Sequence, residues 1–291
     1  MPGVARFACH PKTNESGHMP ITALRGLLAA CHPLPTVVVT VATTLLAVAA
    51  GHRGSRLGIV VLAVLAGQLS IGWANDWLDA ARDRAVGRAD KPVATGALTE
   101  RTVIVAALTA AVATIALSFW LGPLPGLLHV TAVGAGWLYN HPLKTTVISV
   151  LPYFVAFGLL PGFVVAALPG HPTPPWWLLI AGALLGAGAH FANALPDLTE
   201  DVRTGVRGLP QRAGPTASRG ITVALLLAAG AVLVFGPPGP ASWPGVLILA
   251  GSVAALGVAA RNSHRYGEHV LFRVVMGVAL ADVALLLAAP L

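Results

Sequence analysis

The chain has 291 residues, of which 56% are hydrophobic and only 10% are charged, and its formal net charge is +7. Soluble domains have about 25% charged residues, so the composition excludes an ordinary soluble protein and indicates a chain that lies mostly in lipid. The two cysteines, Cys9 and Cys31, exclude a disulfide framework and a cysteine-rich metal site.

The first residues form no predicted element. Residues 1–24 mix polar and apolar side chains, and we expect a flexible segment there, with Met19 as an alternative start. No small-residue cleavage pattern follows the first apolar run, so no cleavable signal peptide is predicted. Residues 25–291 are expected to form one membrane domain.

Nine apolar runs follow, each near the roughly 20 residues that a helix needs to cross the hydrocarbon of a bilayer. We therefore predict an all-α membrane protein with nine transmembrane helices. The predicted spans are residues 34–50, 57–74, 102–121, 124–140, 147–168, 176–196, 220–236, 243–260 and 270–289.

The loops between these spans carry their basic residues on one side. Sixteen of the 18 Lys and Arg residues fall on the side of the N-terminus, and the exceptions are Arg53 and Arg56. Cytoplasmic loops are enriched in Lys and Arg, so we expect a multi-pass protein of the cell membrane with a cytoplasmic N-terminus. This arrangement accounts for the positive charge without a nucleic-acid partner.

A short pattern occurs twice on that cytoplasmic side, where ten of the eleven acidic residues also lie. Both copies read N-x3-D-x3-D-x3-G, in residues 75–87 (the first acidic repeat) and 193–205 (the second acidic repeat). The shared positions are Asn75, Asp79, Asp83 and Gly87 in the first copy and Asn193, Asp197, Asp201 and Gly205 in the second. Four predicted spans separate the copies, so both end an inward-running helix at the same membrane surface.

Residues four apart share one face of an α-helix, so each repeat is expected to form a stripe of one amide and two carboxylates. Pro196 is expected to kink or widen the second helix. Grouped carboxylates near lipid repel one another, and Mg²⁺ is usually held by one or two carboxylates plus substrate phosphates. The repeats therefore predict a metal-bridged diphosphate site, with solvated loop charges as the alternative. The predicted metal ligands are Asp76, Asp79, Asp83, Asp197 and Asp201.

The chain resembles the UbiA family of intramembrane prenyltransferases. Residues 75–83 and 197–201 are similar to the family's two aspartate-rich motifs, and residues 88–96 to the stretch after the first motif. Residues 139–144 resemble the tyrosine-to-basic segment after the fourth span, and the likeness extends over residues 25–289. It implies a helical bundle around a central, lipid-accessible cavity, with Mg²⁺ and an isoprenoid diphosphate at the cytoplasmic end.

The resemblance also implies transfer of the prenyl group to an aromatic or lipid-like acceptor. Together with the positions of polar and aromatic side chains near the motifs, it indicates candidate residues for this chemistry. The expected catalytic residues are Asp76, Asp79, Asp197 and His190. The expected diphosphate ligands are Asn75, Arg88, Lys91, Lys144, Asn193, Arg203 and Arg207. The side chains expected to line the cavity and contact the prenyl group are Trp73, Tyr139, Tyr153, Phe191 and Gln68. Loop anchoring for the basic residues, and an interfacial belt for the aromatic ones, are the alternatives.

Three positions leave a role or the acceptor open. His190 lies on the face of the second acidic repeat and either contacts substrate, accepts a proton or bonds a neighbouring helix. Asp282, in the last predicted span, is either functional, part of an ion pair or at a water-exposed end. Many family members carry arginine before the proline that opens the first span, whereas this chain has His32 before Pro33. An acceptor whose carboxylate needs a guanidinium there, such as 4-hydroxybenzoate, is therefore not expected.

Two other functions fit part of the pattern. A UbiA-type terpene cyclase would use the same metal site on a prenyl diphosphate alone, without an acceptor. An ion transporter would need acidic residues at depth or on both sides of the membrane. Because nearly all acidic residues lie on one side, the sequence favours an enzyme.

Overall fold

The computed structural model describes residues 21–203, 205–266 and 268–289. The segment predicted to be flexible, residues 1–24, lies outside the described residues except for its last four, which begin the first helix. Within the described ranges the fold is all-α, as predicted, and contains no β-strand.

The described residues form eleven α-helices and one short 3-10 helix between α5 and α6. In chain order they are α1 Ile21–Ala30, α2 Pro33–Ala49, α3 Gly54–Ala85, α4 Glu100–Trp120, α5 Pro123–Asn140, the 3-10 helix Leu143–Thr145, α6 Leu151–Ala166, α7 Trp176–Ala194, α8 Leu198–Arg203, α9 Leu209–Phe235, α10 Trp243–Tyr266 and α11 Glu268–Ala288.

Local sequence explains where these helices begin. Proline occupies the first turn of α2, α5, α6 and α9, where its missing N–H leaves no helical hydrogen bond unmade. Thr99 precedes α4, and its side chain accepts a hydrogen bond from the Thr102 N–H at 3.2 Å. Inside α9, Gly214 (φ 78°) and Pro215 interrupt the regular helix.

Each of the nine predicted spans coincides with a helix, namely α2 to α7 and α9 to α11. By length and apolarity, four helices of the described chain, α3, α4, α7 and α9, can each cross a membrane. The pair α1–α2, bent by 67°, is a fifth candidate, and the apolar helix α6 and the apolar part of α10 are shorter. The protein thus has the helices of a multi-pass membrane protein, while nine spans and a cytoplasmic N-terminus stay predictions.

Helix α3 is long enough to leave the membrane. Its 32 residues extend about 48 Å at 1.5 Å per residue, whereas the hydrocarbon core of a bilayer is about 30 Å thick. The predicted span, residues 57–74, occupies the first part of α3, and the first acidic repeat follows it on the same helix.

Neighbouring helices pack side by side, with α3 against α4 and α6 between α5 and α7, while α7 also packs against α9. Glycine permits the close contact of α6 and α7. A Cβ at Gly182 would lie 2.4 Å from the carbonyl oxygen of Phe157, and one at Gly186 would lie 2.6 Å from that of Tyr153. Small residues allow helices in membranes to approach closely, and here they bring Tyr153 beside α7.

Apolar side chains cover the outside of the bundle as well as its interior. Phe163 and Leu178 are fully buried, whereas Leu34, Trp120 and Trp243 are 75%, 80% and 74% exposed. A protein surface this apolar suits a lipid surrounding.

Asp282 of α11 is buried against α9. A Cβ at Gly230 would lie 2.8 Å from its Oδ1, and its Oδ2 has no hydrogen-bond partner among the described residues. The ion pair considered for this residue is therefore not present in that part of the chain.

Candidate active site

The two acidic repeats end in the same backbone structure. Gly87 and Gly205 have φ angles of 70° and 85°, in the left-handed region that favours glycine. The N–H of the next residue donates to the carbonyl oxygen of the repeat's last aspartate, from Arg88 to Asp83 at 3.0 Å and from Val206 to Asp201 at 2.8 Å. This is the Schellman arrangement, and it explains why both copies finish with glycine.

The helices of the two repeats differ. The first repeat lies on the uninterrupted end of α3, as predicted. In the second, α7 ends at Ala194 and α8 begins at Leu198, so the expectation of one helical stripe is wrong there. Pro196 lies in the turn between them, where it donates no N–H and crowds the preceding helical turn. The break leaves Asp197 exposed at the start of α8.

Both repeats nevertheless line one cavity of about 210 Å³. Nine of the residues singled out from the sequence line it: Asn75, Asp79, Tyr139, Lys144, Tyr153, His190, Asn193, Asp197 and Asp201. The cavity thus brings together side chains from α3, α5, α6, α7 and α8 and from the 3-10 helix.

On the α3 side of the cavity, the charged side chains group around Asp79. It is buried, and it pairs with the Lys144 ammonium and, at 2.9 Å, with the Arg82 guanidinium. Arg82 also lies 3.5 Å from Asp83. Burial lowers the pKa of Lys144, and the negative charge of Asp79 opposes that effect. Arg82 and Lys144 therefore neutralise the Asp79 carboxylate. Both cations line the cavity, where a bound anion would compete with Asp79 for them.

Asp76 faces a different set of partners. It is 1% exposed, and the Lys91 ammonium lies 3.1 Å from its Oδ1, near enough for an ion pair although not aligned for a hydrogen bond. Lys91 is also 3.0 Å from His32 Nε2. Asp76 and Lys91 do not belong to the lining of the cavity that Asp79 faces.

The second repeat is supported by α9. The Gln211 side-chain N–H donates to Asp201 Oδ2 at 2.7 Å. Burial raises the pKa of the Asp201 carboxyl, and this hydrogen bond opposes the increase. On the other side of the cavity, the Asn75 amide donates to Asn140 Oδ1 at 3.2 Å.

His190 lies beside two aromatic residues that line the cavity, Tyr139 and Tyr153. Its ring centroid is 5.6 Å from that of Tyr139 and 4.9 Å from that of Tyr153, and its Nε2 is 3.0 Å from Ser149 Oγ. The two tyrosine rings meet edge to face at 4.9 Å. A polar group and two aromatic rings therefore face the same space.

The other predicted site residues do not line this cavity. Arg88 forms a bidentate ion pair with Asp90, in which both hydrogen bonds are 2.8 Å long. These hydrogen bonds raise the pKa of Arg88 and lower the pKa of Asp90. Arg203 and Arg207 are exposed. Three residues expected to contact the prenyl group are not part of the cavity lining: Trp73, Phe191 and Gln68. The indole N–H of Trp73 donates to the Leu27 carbonyl. Phe191 is buried with its ring centroid 5.7 Å from that of His190, and Gln68 is half-buried in α3.

Sequence reasoning missed three residues that support the site: Arg82, Gln211 and Ser149. Arg82 follows Asp79 by three residues, a spacing at which helical side chains meet, so this pairing was detectable. The partners of Gln211 and Ser149 depend on how α9 and the turn before α6 pack against α7.

The donors suit magnesium. Asp76 Oδ2 and Asp83 Oδ2 are buried and have no hydrogen-bond partner among the described residues, and carboxylate oxygens are preferred ligands of Mg²⁺. No group of three or more His, Cys, Asp or Glu side chains converges in the described part of the chain. Since Mg²⁺ usually takes one or two carboxylates with waters and substrate phosphates, the residues fit a metal that binds together with a diphosphate.

Comparisons with known proteins identify the family of the chain. Residues 35–280 match the model of the UbiA prenyltransferase family. The chain is 33% identical over 173 residues to the bacteriochlorophyll synthase 33 kDa chain of Cereibacter sphaeroides, covering 56% of this chain and 57% of that protein. It is 28% identical over 135 residues to the 4-hydroxybenzoate octaprenyltransferase of Herminiimonas arsenicoxydans, covering 46% and 48%.

The chain therefore spans about half the length of the curated relatives that it matches. Its fold is similar over a greater length to that of a UbiA homologue from Archaeoglobus fulgidus whose structure was solved with GPP and Mg²⁺. The TM-score is 0.68 at 15% identity, covering 90% of this chain and 98% of the other. With a family match over most of its length and a corresponding fold, the chain belongs to the UbiA prenyltransferase family.

Proposed function

We propose that the protein transfers a prenyl group from an isoprenoid diphosphate to an aromatic or lipid-like acceptor within the membrane, with Mg²⁺ as cofactor. The observation that carries this proposal is that Asp79 of the first repeat and Asp197 and Asp201 of the second line the same cavity. The A. fulgidus homologue bound to GPP and Mg²⁺ and the two prenyltransferases named above support the same reaction class.

The charges around the cavity suit a departing diphosphate. Asp79 lines the cavity together with Asp197 and Asp201. These three residues, with Asp76 and Asp83 from the same helix as Asp79, are the proposed metal-holding residues. When bound, Mg²⁺ would supply positive charge that stabilises the departing diphosphate. Lys144 and Arg82, which pair with Asp79 in the structure, are close enough to the cavity to bind diphosphate oxygens as the C–O bond to the prenyl group breaks.

The space beside Tyr139 and Tyr153 is the proposed location of the reacting carbon of the prenyl group. Tyr139 and Tyr153 line the cavity beside the acidic residues, and aromatic faces stabilise nearby positive charge. The prenyl tail would extend between apolar helices, away from water. We place this reaction at the cytoplasmic side of the cell membrane because the basic loops accompany the repeats.

The acceptor is proposed to be recognised without a guanidinium at the start of α2. His32 occupies the position before Pro33, and its ring contacts Lys91, which itself pairs with Asp76. Because Lys91 is engaged in this way and no arginine stands before Pro33, we propose that the start of α2 does not bind an acceptor carboxylate.

The test is a membrane assay with a panel of prenyl diphosphates, each with and without candidate acceptors and Mg²⁺, with products identified by mass spectrometry. We expect a prenylated acceptor only when Mg²⁺ is present. Asp79→Asn should abolish product, whereas Asp90→Asn, which removes a charge of the same sign from an exposed loop, should not. Full activity after chelation of divalent metal would contradict the proposal, and terpene formation from diphosphate alone would identify a cyclase.

A further inference from the structure

Ser149 connects His190 to the start of α9. It lies in the turn before α6, is fully buried, and its Oγ accepts a hydrogen bond from the Leu209 N–H at 2.8 Å. The same Oγ lies 3.0 Å from His190 Nε2. Two residues after Leu209, Gln211 donates to Asp201, so the segment that Ser149 holds also supports the second repeat.

The single hydrogen of the Ser149 hydroxyl identifies the donor in this contact. A hydroxyl offers one hydrogen and two lone pairs, and the Leu209 N–H uses one lone pair. Among the described residues, the remaining hydrogen-bond partner of Ser149 Oγ is His190 Nε2. If Nε2 carried a proton and donated it, the serine hydrogen would be buried without an acceptor in that part of the chain, which is unfavourable. Ser149 therefore donates to His190 Nε2.

This direction determines which nitrogen of His190 carries hydrogen. A neutral imidazole that accepts at Nε2 bears its hydrogen at Nδ1. His190 lines the cavity together with Asn193 and Asp197, and Nδ1 is the nitrogen that Ser149 leaves available. A histidine whose lone pair is already bonded is poorly suited to remove a proton from an acceptor.

We propose that Ser149 is a positioning residue that holds His190 as the Nδ1–H tautomer, so that His190 gives the cavity a neutral hydrogen-bond donor. The ligand of this donor is an oxygen atom, either of the diphosphate or of the second substrate. The identity of that ligand rests on the proposed function, whereas the tautomer does not. His190 would then contact substrate as a hydrogen-bond donor, and it would not remove a proton from the acceptor.

The tautomer is measured by NMR of the full-length protein labelled with ¹⁵N-histidine, and the His190 signals are assigned by their loss in His190→Asn. We expect wild-type His190 to be protonated at Nδ1 and unprotonated at Nε2. Ser149→Ala should shift the ring toward the Nε2–H tautomer. Ser218→Ala is the matched control, because Ser218 is an equally buried serine of α9 that donates to the Pro210 carbonyl instead.

An Nε2–H tautomer in the wild type, or an unchanged His190 spectrum in Ser149→Ala, would overturn the proposal. Should Ser149→Ala fail to fold, the wild-type spectrum alone still decides, since it reports the tautomer directly. Because the spectrum needs no turnover, it remains decisive even if no prenyl transfer is found.

A second experiment compares His190→Asn with His190→Gln. The asparagine amide nitrogen occupies roughly the place of Nδ1 and can still donate there, whereas the glutamine amide reaches roughly the place of Nε2. We expect His190→Asn to retain at least about tenfold more turnover, the value of one hydrogen bond to a polar or charged group. Equal and complete loss in both variants would indicate a proton-removing base and overturn the proposal.

The ligand of the donor is identified by the binding constants of His190→Gln. A weaker Kd for a non-reacting prenyl thiolodiphosphate supports a diphosphate oxygen, and a higher KM for the second substrate alone supports an oxygen of that substrate. Both constants unchanged would contradict any donation to substrate.

Discussion

Replacing Lys91 with methionine tests how the carboxylate of Asp76 is stabilised. Asp76 is 1% exposed and the side chain of Lys91 is 14% exposed, with 3.1 Å between Nζ and Oδ1. Methionine has a similar length and keeps the apolar contacts of the lysine stem, but it removes the positive charge. The variant therefore leaves a buried carboxylate without its cation.

The expected cost follows from the distance and the burial. At 3.1 Å and an effective dielectric constant of about 20, two unit charges attract by about 5 kcal/mol. Removing one partner of a buried pair typically costs about 3–5 kcal/mol. We therefore expect Lys91→Met to lose about 3–5 kcal/mol of stability, or on the order of 10 °C in Tm for a chain of this size.

The control is Arg88→Met, which removes a cation from the same loop. Arg88 and Asp90 are 49% and 62% exposed, and exposed pairs contribute about 1 kcal/mol or less. The assay is thermal unfolding in detergent of wild type, both single variants and the double variant Lys91→Met/Asp76→Asn. We expect the double variant to recover most of the lost stability, because the unpaired charge is gone.

A loss in Lys91→Met no greater than that in Arg88→Met would refute this reasoning, since it would mean that Asp76 is not dependent on Lys91. Comparing the double variant with Asp76→Asn alone tests a second role of Lys91, since both lack the Asp76 carboxylate. If the lysine also binds the diphosphate, affinity for a prenyl thiolodiphosphate with Mg²⁺ should be weaker in the double variant than in Asp76→Asn.

Three further predictions concern the repeats and the packing around α3. Asp79→Ala and Asp197→Ala should each abolish prenyl transfer in membranes while leaving the protein folded, and near-normal turnover in either would remove it from the site. Gly87→Ala should lose about 1–2 kcal/mol of stability, since a side chain at φ 70° is disfavoured by that amount; an unchanged Tm would contradict the Schellman account. Gly72→Ala should lose about 1–3 kcal/mol, because its Cβ would lie 2.2 Å from a backbone carbonyl oxygen between α1 and α2. Gly134→Ala, with open space around it, is the control and should behave as wild type.

The first repeat illustrates how far local sequence predicts a site. Asn75, Asp79 and Asp83 follow one another at helical spacing with no proline between them, and α3 continues through all three. In the second repeat, Pro196 stands directly before Asp197, and the helix breaks there. The residue that causes the break is visible in the sequence, but the direction in which the chain continues depends on the packing of α8 and α9.

The partners of the carboxylates illustrate the opposite case. The basic residues after the first repeat were expected to bind diphosphate, yet Arg88 pairs with exposed Asp90 and Lys91 with buried Asp76. Lys144, far along the chain, reaches Asp79. The sequence positions of these three basic residues do not indicate which carboxylate each of them reaches.

By itself, the sequence determined the helices, their apolar surroundings and the two acidic repeats, because apolarity and four-residue spacing are properties of short segments. Only the tertiary structure decided which cation meets which carboxylate, and that Ser149 bonds to His190. Those contacts join residues up to 65 positions apart, and they arise from the way α3, α5, α6 and α7 pack around one cavity.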